Sequence, residues 1–463
     1  MSPSVDAISS RLRLMSAINP KLSAFAIAVA AGAALLLTVT APAQSQTSST
    51  VTNSIPITFS GEVRARSEWD HPGGTLQSDE FTYLRTRFGV RVDATPKIGL
   101  MIQVQDSRVL GGEANPLSTS TSTFELHQAF LELATPWRSA QGALRVGRQE
   151  ISVTNERLIG ASNWTNTGRS FDGVRLLLSP TGSTAGAEGW TLSLFGATVE
   201  EHGRHFGTTG DENGTIKEPD HSVIGAFGTR QITTARAGKF ALEGTAFHDA
   251  GSSYRSYKSA NRTTVDGRVR MLNWKGVRAD VEGALQFGRQ RFVGDTAHVM
   301  LQDVKASLFG ARVGIADKAD SRIGATIGAD RLSGDVTPGD GQYGAFNTLF
   351  ASNHQYYGLQ DVIGEPAAST KERGLVDAFA MGTAKISPNI SIKTELHHFT
   401  LATGTNTNLG WEADFTLPVK LGSAATFDFG YSAFHPDVGA QSVGLGVNGS
   451  MKHWVFVQLR AGF

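Results

Sequence analysis

GRQEISVTNERLIGASNWTNTGRSFDGVRL, from Gly147 to Leu176, reads as two strands joined by a polar loop that carries Asn, Gly and Trp. Before the loop, Leu144 and Val146 alternate with Arg145 and Gly147; after it, Val174 and Leu176 alternate with Gly173, Arg175 and Leu177. Successive side chains of an extended chain point to opposite faces, so this period of two predicts strands with one apolar face and one that carries arginine. Folding the hairpin symmetrically about Gly160 sets Gly142 opposite Leu178 and Arg148 opposite Asp172. Arg148 and Asp172 are therefore expected as an ion pair on the outward face near the rim, unless a bulge at Gly147 turns Arg148 inward.

The same pattern recurs along the chain. Ile57, Phe59, Gly61, Val63, Ala65, Ser67 and Trp69 alternate with Thr58, Ser60, Glu62, Arg64, Arg66 and Glu68. Leu84, Phe88, Val90, Val92 and Ala94 oppose Tyr83, Arg85, Arg87, Arg91 and Asp93, and Val277, Ala279, Val281, Leu285 and Phe287 oppose Arg278, Asp280, Glu282 and Gln286. A lipid-facing apolar band backed by a wet interior has this alternation, and a soluble sandwich could bury neither face. Eighteen such segments begin near residues 56, 81, 98, 124, 142, 169, 189, 222, 238, 264, 277, 302, 321, 371, 389, 409, 424 and 451. Their even number suits a single-chain bacterial barrel.

The connections alternate between tight turns, such as Thr95-Pro96-Lys97, Lys275-Gly276 and Ser387-Pro388-Asn389, and long polar stretches near 107–123, 152–168, 200–221, 250–263 and 332–370. Short periplasmic turns and long outer loops give this alternation; the stretch 179–188 is too long for its side. The loop 332–370 is longer than structureless connections usually are, and its Phe346, Phe350, Tyr356 and Tyr357 find packing only if it bends inward or over the rim, as a constriction or cover. Val455, Val457, Leu459, Ala461 and Phe463 share one face at the end of the chain, resembling the C-terminal assembly signal of outer-membrane proteins, with Phe463 as its aromatic residue. Trp69, Trp190 and Trp411 fall on apolar faces near strand ends, where an interfacial aromatic belt would place them.

Arg11, Arg13 and Lys21 precede an apolar run from Leu22 to Thr40 and the small-x-small triplet Ala41-Pro42-Ala43. Residues 1–43 are expected to be a cleaved signal peptide, 44–55 a short periplasmic segment and 56–463 the barrel. So short a leading segment leaves no room for the plug domain of an energy-coupled receptor, and transport is expected to be passive. Beyond residue 43 no apolar run is long enough for a membrane-crossing helix, so a membrane reading requires a closed sheet. The chain holds no cysteine, which excludes disulfides, thiol catalysis and a lipoprotein anchor. Its formal charge is zero, so net charge says nothing about partners and its distribution must.

The opening stretch, with its GRQ, ERLIG, Trp-Thr-Asn and GRSFDGVRL elements, resembles the alginate export proteins, which are outer-membrane β-barrels. Asp330 to Asp361, DRLSGDVTPGDGQYGAFNTLFASNHQYYGLQD, is similar to that family's second block, and LHHFTLA followed by LGWEADFTL (Leu396 to Leu417) to its C-terminal third. The resemblance implies an all-β, transmembrane antiparallel barrel of about eighteen strands in the outer membrane of a Gram-negative cell. It implies a channel for export or diffusion of an anionic polysaccharide or related anionic solute. A general or small-organic-acid uptake porin and, further off, an outer-membrane enzyme remain the alternatives.

Arg64, Arg66, Arg85, Arg87, Arg91, Arg145, Arg157, Arg169 and Arg175 cluster in the first six segments and their loops. Guanidinium stays charged and binds carboxylate bidentately, so these arginines are candidates to line the lumen for an anionic saccharide or organic acid. The competing reading is an interior ladder paired with Glu62, Glu68, Asp93 and Glu132 that stiffens the wall. Asp330, Asp335, Asp340 and Asp361 match no calcium loop, and adjacent His397 and His398 point to opposite faces of a strand, so no metal is expected. No Gly-x-Ser-x-Gly, paired-His zinc motif or phosphate loop occurs, and neither cofactor nor nucleic acid is expected. The expected partners are outer-membrane lipid, lipopolysaccharide and the barrel-assembly machinery.

Overall fold

The computed structural model describes residues 55–463 except 75, 113–122, 138–139, 181–188, 201–220, 235, 237, 253–258, 296–297 and 316–321. The expected signal peptide, the segment after it and most of the connection 179–188 lie outside the described residues. Eighteen long strands form the wall: β1 (Ile57–His71), β2 (Asp79–Thr95), β3 (Ile98–Val109), β4 (Thr123–Trp137), β5 (Ala140–Gln149), β6 (Phe171–Pro180), β7 (Trp190–Glu200), β8 (His221–Thr234), β9 (Gly238–Ser252), β10 (Ser259–Trp274), β11 (Val277–Asp295), β12 (His298–Ile315), β13 (Ile323–Leu332), β14 (Leu375–Lys385), β15 (Ser391–Leu401), β16 (Asn408–Lys420), β17 (Ala425–Pro436) and β18 (Lys452–Gly462). Each pairs antiparallel with the next, and β18 closes onto β1 from Glu62 opposite Gly462 to His71 opposite His453. Closure gives every strand two partners, which is what lets a sheet sit in lipid. A two-residue bridge at Gln342–Tyr343 adds a short parallel rung on β12.

The two faces are inverted relative to a soluble protein. On β11, Val281, Leu285 and Phe287 are exposed while Glu282 and Gln286 are buried, so the apolar residues look outward and the polar ones into the lumen. No helix of the described residues is long and apolar enough to cross a membrane. The strand starts follow the alternation closely; the largest displacement is β10, which begins at Ser259 rather than near 264. There the ladder continues to Ser259 opposite Ser252, beyond the point where the side chains stop alternating, because the hydrogen bonds are made by the backbone alone. The outer connection expected at 250–263 shortens accordingly to 253–258.

The apolar core lies inside the barrel. The β5–β6 loop (150–170) and the β13–β14 loop (333–374) fold into the lumen and bring Ile151, Ile159, Phe346, Tyr357 and Ile363 against Phe171, Phe195, Leu375, Phe399 and Phe434 of the wall. The long loop thus bends inward, with Phe350 and Tyr356 packed against the same cluster. It carries the one-turn helix α1 (Pro366–Ser369), and a second short helix, α2 (Val438–Val443), lies between β17 and β18.

Candidate functional site

The two infolded loops clasp each other across the lumen. Ile159 and Phe350 form a parallel bridge, with Gly160 N–H donating to the Phe350 carbonyl at 2.8 Å and Phe350 N–H to that of Leu158 at 3.0 Å. Ser352 N–H donates to the Glu156 carbonyl at 2.8 Å, and Ser162 N–H to Ser352 Oγ at 2.9 Å. Gly160 permits this approach: a Cβ there would stand 2.4 Å from Ser352 Oγ and 2.6 Å from Glu156 Cβ.

One arm of the β5–β6 loop reaches β11 and β13. Arg157 is fully buried, donates to Glu282 at 3.4 Å and to Asp330, and lies over the Tyr356 ring at 4.4 Å. Tyr356 Oη donates to the Asn155 carbonyl at 2.6 Å, and Asn155 Nδ2 to Glu282 at 3.1 Å. Burial alone would favour a neutral guanidine, but Tyr357, Asp330 and Glu282 outweigh it and hold the Arg157 pKa well above its ordinary value. The expectation that Arg157 lines the path of a solute is therefore corrected: it is sealed from the lumen and anchors a loop. Asp330, which matches no calcium loop, sits buried on β13 between Arg157 and Arg312, the latter at 2.9 Å.

The other arm lies on the arginines of β1 and β2. The register sets Arg64 directly opposite Arg85, a like-charge pair that would be destabilising by itself. The loop backbone supplies the compensating oxygens. Arg64 donates to the carbonyls of Asn163 and Thr165 at 2.6 and 2.8 Å, Arg66 to that of Trp164 at 2.6 Å, and Arg85 to those of Asn163 and Thr165 at 3.2 Å each. Arg87 donates to Asn163 Oδ1 at 2.9 Å. Trp164 is stacked between the Arg66 guanidinium, 3.8 Å from the ring centre, and the His354 ring of the second loop, at 3.9 Å. Arg169 donates to the carbonyls of Gly160, Phe350 and Ala351, tying the two loops together.

Ion pairs hold the same wall. Arg66 meets Glu68 at 2.7 Å, Arg85 meets Glu62 at 2.6 Å, and Glu132 bridges Arg91 and Arg145 at 2.7 and 2.6 Å nearer the periplasmic end. Arg175 donates to Ser193 at 2.9 Å. Between this wall and the loops remains a cavity of about 730 Å³, with Arg64, Arg85, Arg87 and Arg460 on the strand side and Glu156, Asp361 and Glu365 on the loop side. Glu62 on the strand side and Arg169 on the loop side also line it, so both signs of charge stand on both walls. On the outer face, Arg148 stands opposite Asp172, with Nη1 2.9 Å from Oδ2.

The sequence profile of the alginate export proteins matches residues 55–437. The chain belongs to the alginate export family. No curated protein matches it. Among solved structures, this alginate export family barrel is similar to OccK2 (OpdF) of Pseudomonas aeruginosa in complex with glucuronate, with a TM-score of 0.53 at 12% identity over 88% of this chain and 98% of that one. OccAB1 of Acinetobacter baumannii gives 0.53 at 9% identity, covering 88% and 97%, and the outer membrane protein opdK of Pseudomonas aeruginosa 0.53 at 9%, covering 88% and 98%. At such identities the likeness concerns the fold. Family and fold together make this an outer-membrane, porin-like barrel.

Residue patterns did not single out Glu282 or Asp330 as partners of Arg157, nor His354, Trp454 and Phe456 as the surroundings of Trp164. The one available signal was the alternation that set Glu282 on an inward face; its partner stands 125 residues away in sequence.

Proposed function

We propose that the barrel passes small carboxylate-bearing solutes, of the sugar-acid type, by diffusion along the arginine wall. The carrying observation is the cavity of about 730 Å³ bounded by Arg64, Arg85, Arg87 and Arg460 and by two loops pinned across the lumen. Its volume is in the roughly 300–1,000 Å³ range of small-molecule sites. A barrel of similar fold in complex with glucuronate supports a uronate as the type of solute. Family membership supports a second reading, passage of an anionic polysaccharide, which requires the two loops to withdraw together. Five arginines, Arg64, Arg85, Arg87, Arg169 and Arg460, line the cavity against four carboxylates, Glu62, Glu156, Asp361 and Glu365, which supports a positive local field although the chain is neutral.

Reversal potentials of the reconstituted protein under a salt gradient test this. Anion preference is expected, weakened when Arg85, Arg87 and Arg91 are together replaced by Gln; cation preference in the unmodified protein overturns the reading. A uronate monomer should reduce the ion current where an uncharged hexose does not. Export after removal of residues 1–43 as a signal peptide belongs to the same proposal, and the mature N-terminal sequence tests it.

A further inference from the structure

Separated from the arginine wall of β1 and β2 by β17 and β18, the strands β14, β15 and β16 carry a second cluster on their inward faces. The β15–β16 register sets Glu395 directly opposite Asp414 and His397 directly opposite Glu412. Asp377 on β14 accepts from His397 Nδ1, with both carboxylate oxygens 3.0 Å away. Opposed carboxylates repel, and burial removes the water that would screen them. Asp414 is 5% exposed and Glu412 fully buried, yet Asp414 Oδ1 and Glu412 Oε2 have no hydrogen-bond partner among the described residues. Neither nearby arginine nor lysine answers this charge, since Arg312 is committed to Asp330 and half-exposed Lys393 reaches only Glu395, at 2.9 Å; His397, held by Asp377, is the remaining group that could carry a proton beside Asp414.

Ligand atoms of Glu395, His397 and Asp414 lie within 4.8 Å of one another. A small cavity of about 40 Å³ opens beside them, lined by Glu395, His397 and Asp377, which is room for an ion's remaining water ligand. With Nδ1–H given to Asp377, His397 keeps Nε2 as a lone-pair donor, the carboxylate–histidine arrangement that orients metal-binding imidazoles. One imidazole with two carboxylates favours a first-row transition ion over magnesium or calcium, which take oxygen ligands alone.

We propose that Glu395, His397 and Asp414 form a binding site for a divalent transition-metal ion of the zinc type. The ion offsets the repulsion between Glu395 and Asp414. It also bears on the long infolded loop, because Leu359 N–H donates to Asp414 at 3.2 Å and Gln360 N–H to Glu412 at 2.9 Å. An ion on Asp414 fixes the carboxylate on which that loop rests. His398, next in the chain, stacks on Trp411 and takes no part, since the ligands come from one face of two neighbouring strands.

The test uses the full-length barrel in detergent, stripped with a chelator and equilibrated with Zn²⁺ alone or Co²⁺ alone. One equivalent of Zn²⁺ per chain should remain after desalting, and Co²⁺ should give visible d–d absorption. His397→Gln and Asp414→Asn should each abolish retention, and Asp377→Asn, which leaves the ligands in place, should weaken it about 10–100-fold. Retention that survives both ligand variants, or a parent barrel that holds no Zn²⁺ and gives no Co²⁺ band, overturns the proposal and leaves a proton shared between Glu412 and Asp414 as what quiets the charge. Heat-modifiable migration on gels monitors folding; where a variant does not fold, the parent's Co²⁺ spectrum decides.

Discussion

Replacing Arg157 by Ala should release one arm of the β5–β6 loop while leaving the barrel closed. In the parent, Arg157 is buried between Glu282 and Asp330. Its loss leaves Asp330 with Arg312 at 2.9 Å, but Glu282 with the Asn155 amide and with Arg268, which stands opposite it on β10 and is itself paired with Glu243 and Asp280. Removing one partner of a buried pair costs about 3–5 kcal/mol, because an uncompensated charge stays behind. Taking ~4 kcal/mol and 1.4 kcal/mol per tenfold, the docked arm loses roughly a thousandfold in its equilibrium against the undocked one. The wall does not share this cost, since its antiparallel ladder runs unbroken around the circumference. Single-channel recordings should show higher or strongly fluctuating conductance, and limited proteolysis should cut within 150–170 in the folded variant. Substituting Glu282 by Gln as well should recover much of the docking, because the stranded charge is then gone. Parent-like conductance together with parent-like protease resistance in Arg157→Ala would refute the assignment of this pair as an anchor.

Three further outcomes are expected. Gly160→Val places a branched side chain where Ser352 Oγ and Glu156 already stand, so the two loops should separate and the trypsin resistance of 333–374 fall; an unchanged digestion pattern contradicts the clasp. Glu150 is raised by burial but lowered more by its hydrogen bond with His127 and by the Arg87 charge, so its folded pKa lies below the ordinary carboxylate value. A depressed carboxylate stabilises the docked loop above the unfolded pKa, roughly 4.3, and that stability is lost as pH falls through the folded value; conductance should be steady near neutrality and become noisy in acid, and Glu150→Gln should show no such acid step. The Phe463 ring covers Gly61, and their backbones exchange hydrogen bonds of 3.1 Å at the β1–β18 seam, so Phe463→Ala should lower the yield of heat-modifiable barrel; normal yield removes Phe463 from any role in assembly.

The wall was legible in the sequence because alternation is local: a residue's parity fixes whether Val281 or Glu282 meets lipid, whatever the rest of the chain does. Register near the opening hairpin was equally local, and Arg148 falls opposite Asp172 by counting from the turn. Aromatic residues in the long loop required a packing partner, which left it to bend inward or over the rim; the structure places it inside, against the wall. What the sequence could not determine is which inward residues meet across the lumen. Residue type and place in the first six segments and their loops put Arg64, Arg157 and Arg175 in one class, yet one is held by loop carbonyls, one by two buried carboxylates and one by a serine. Those partners come from the β5–β6 loop for Arg64, from β11 and β13 for Arg157 and from β7 for Arg175, and neither composition nor spacing records which of them meet. The cluster of Glu395, His397 and Asp414 is of the same kind: strand register, not sequence neighbourhood, brings its charges together.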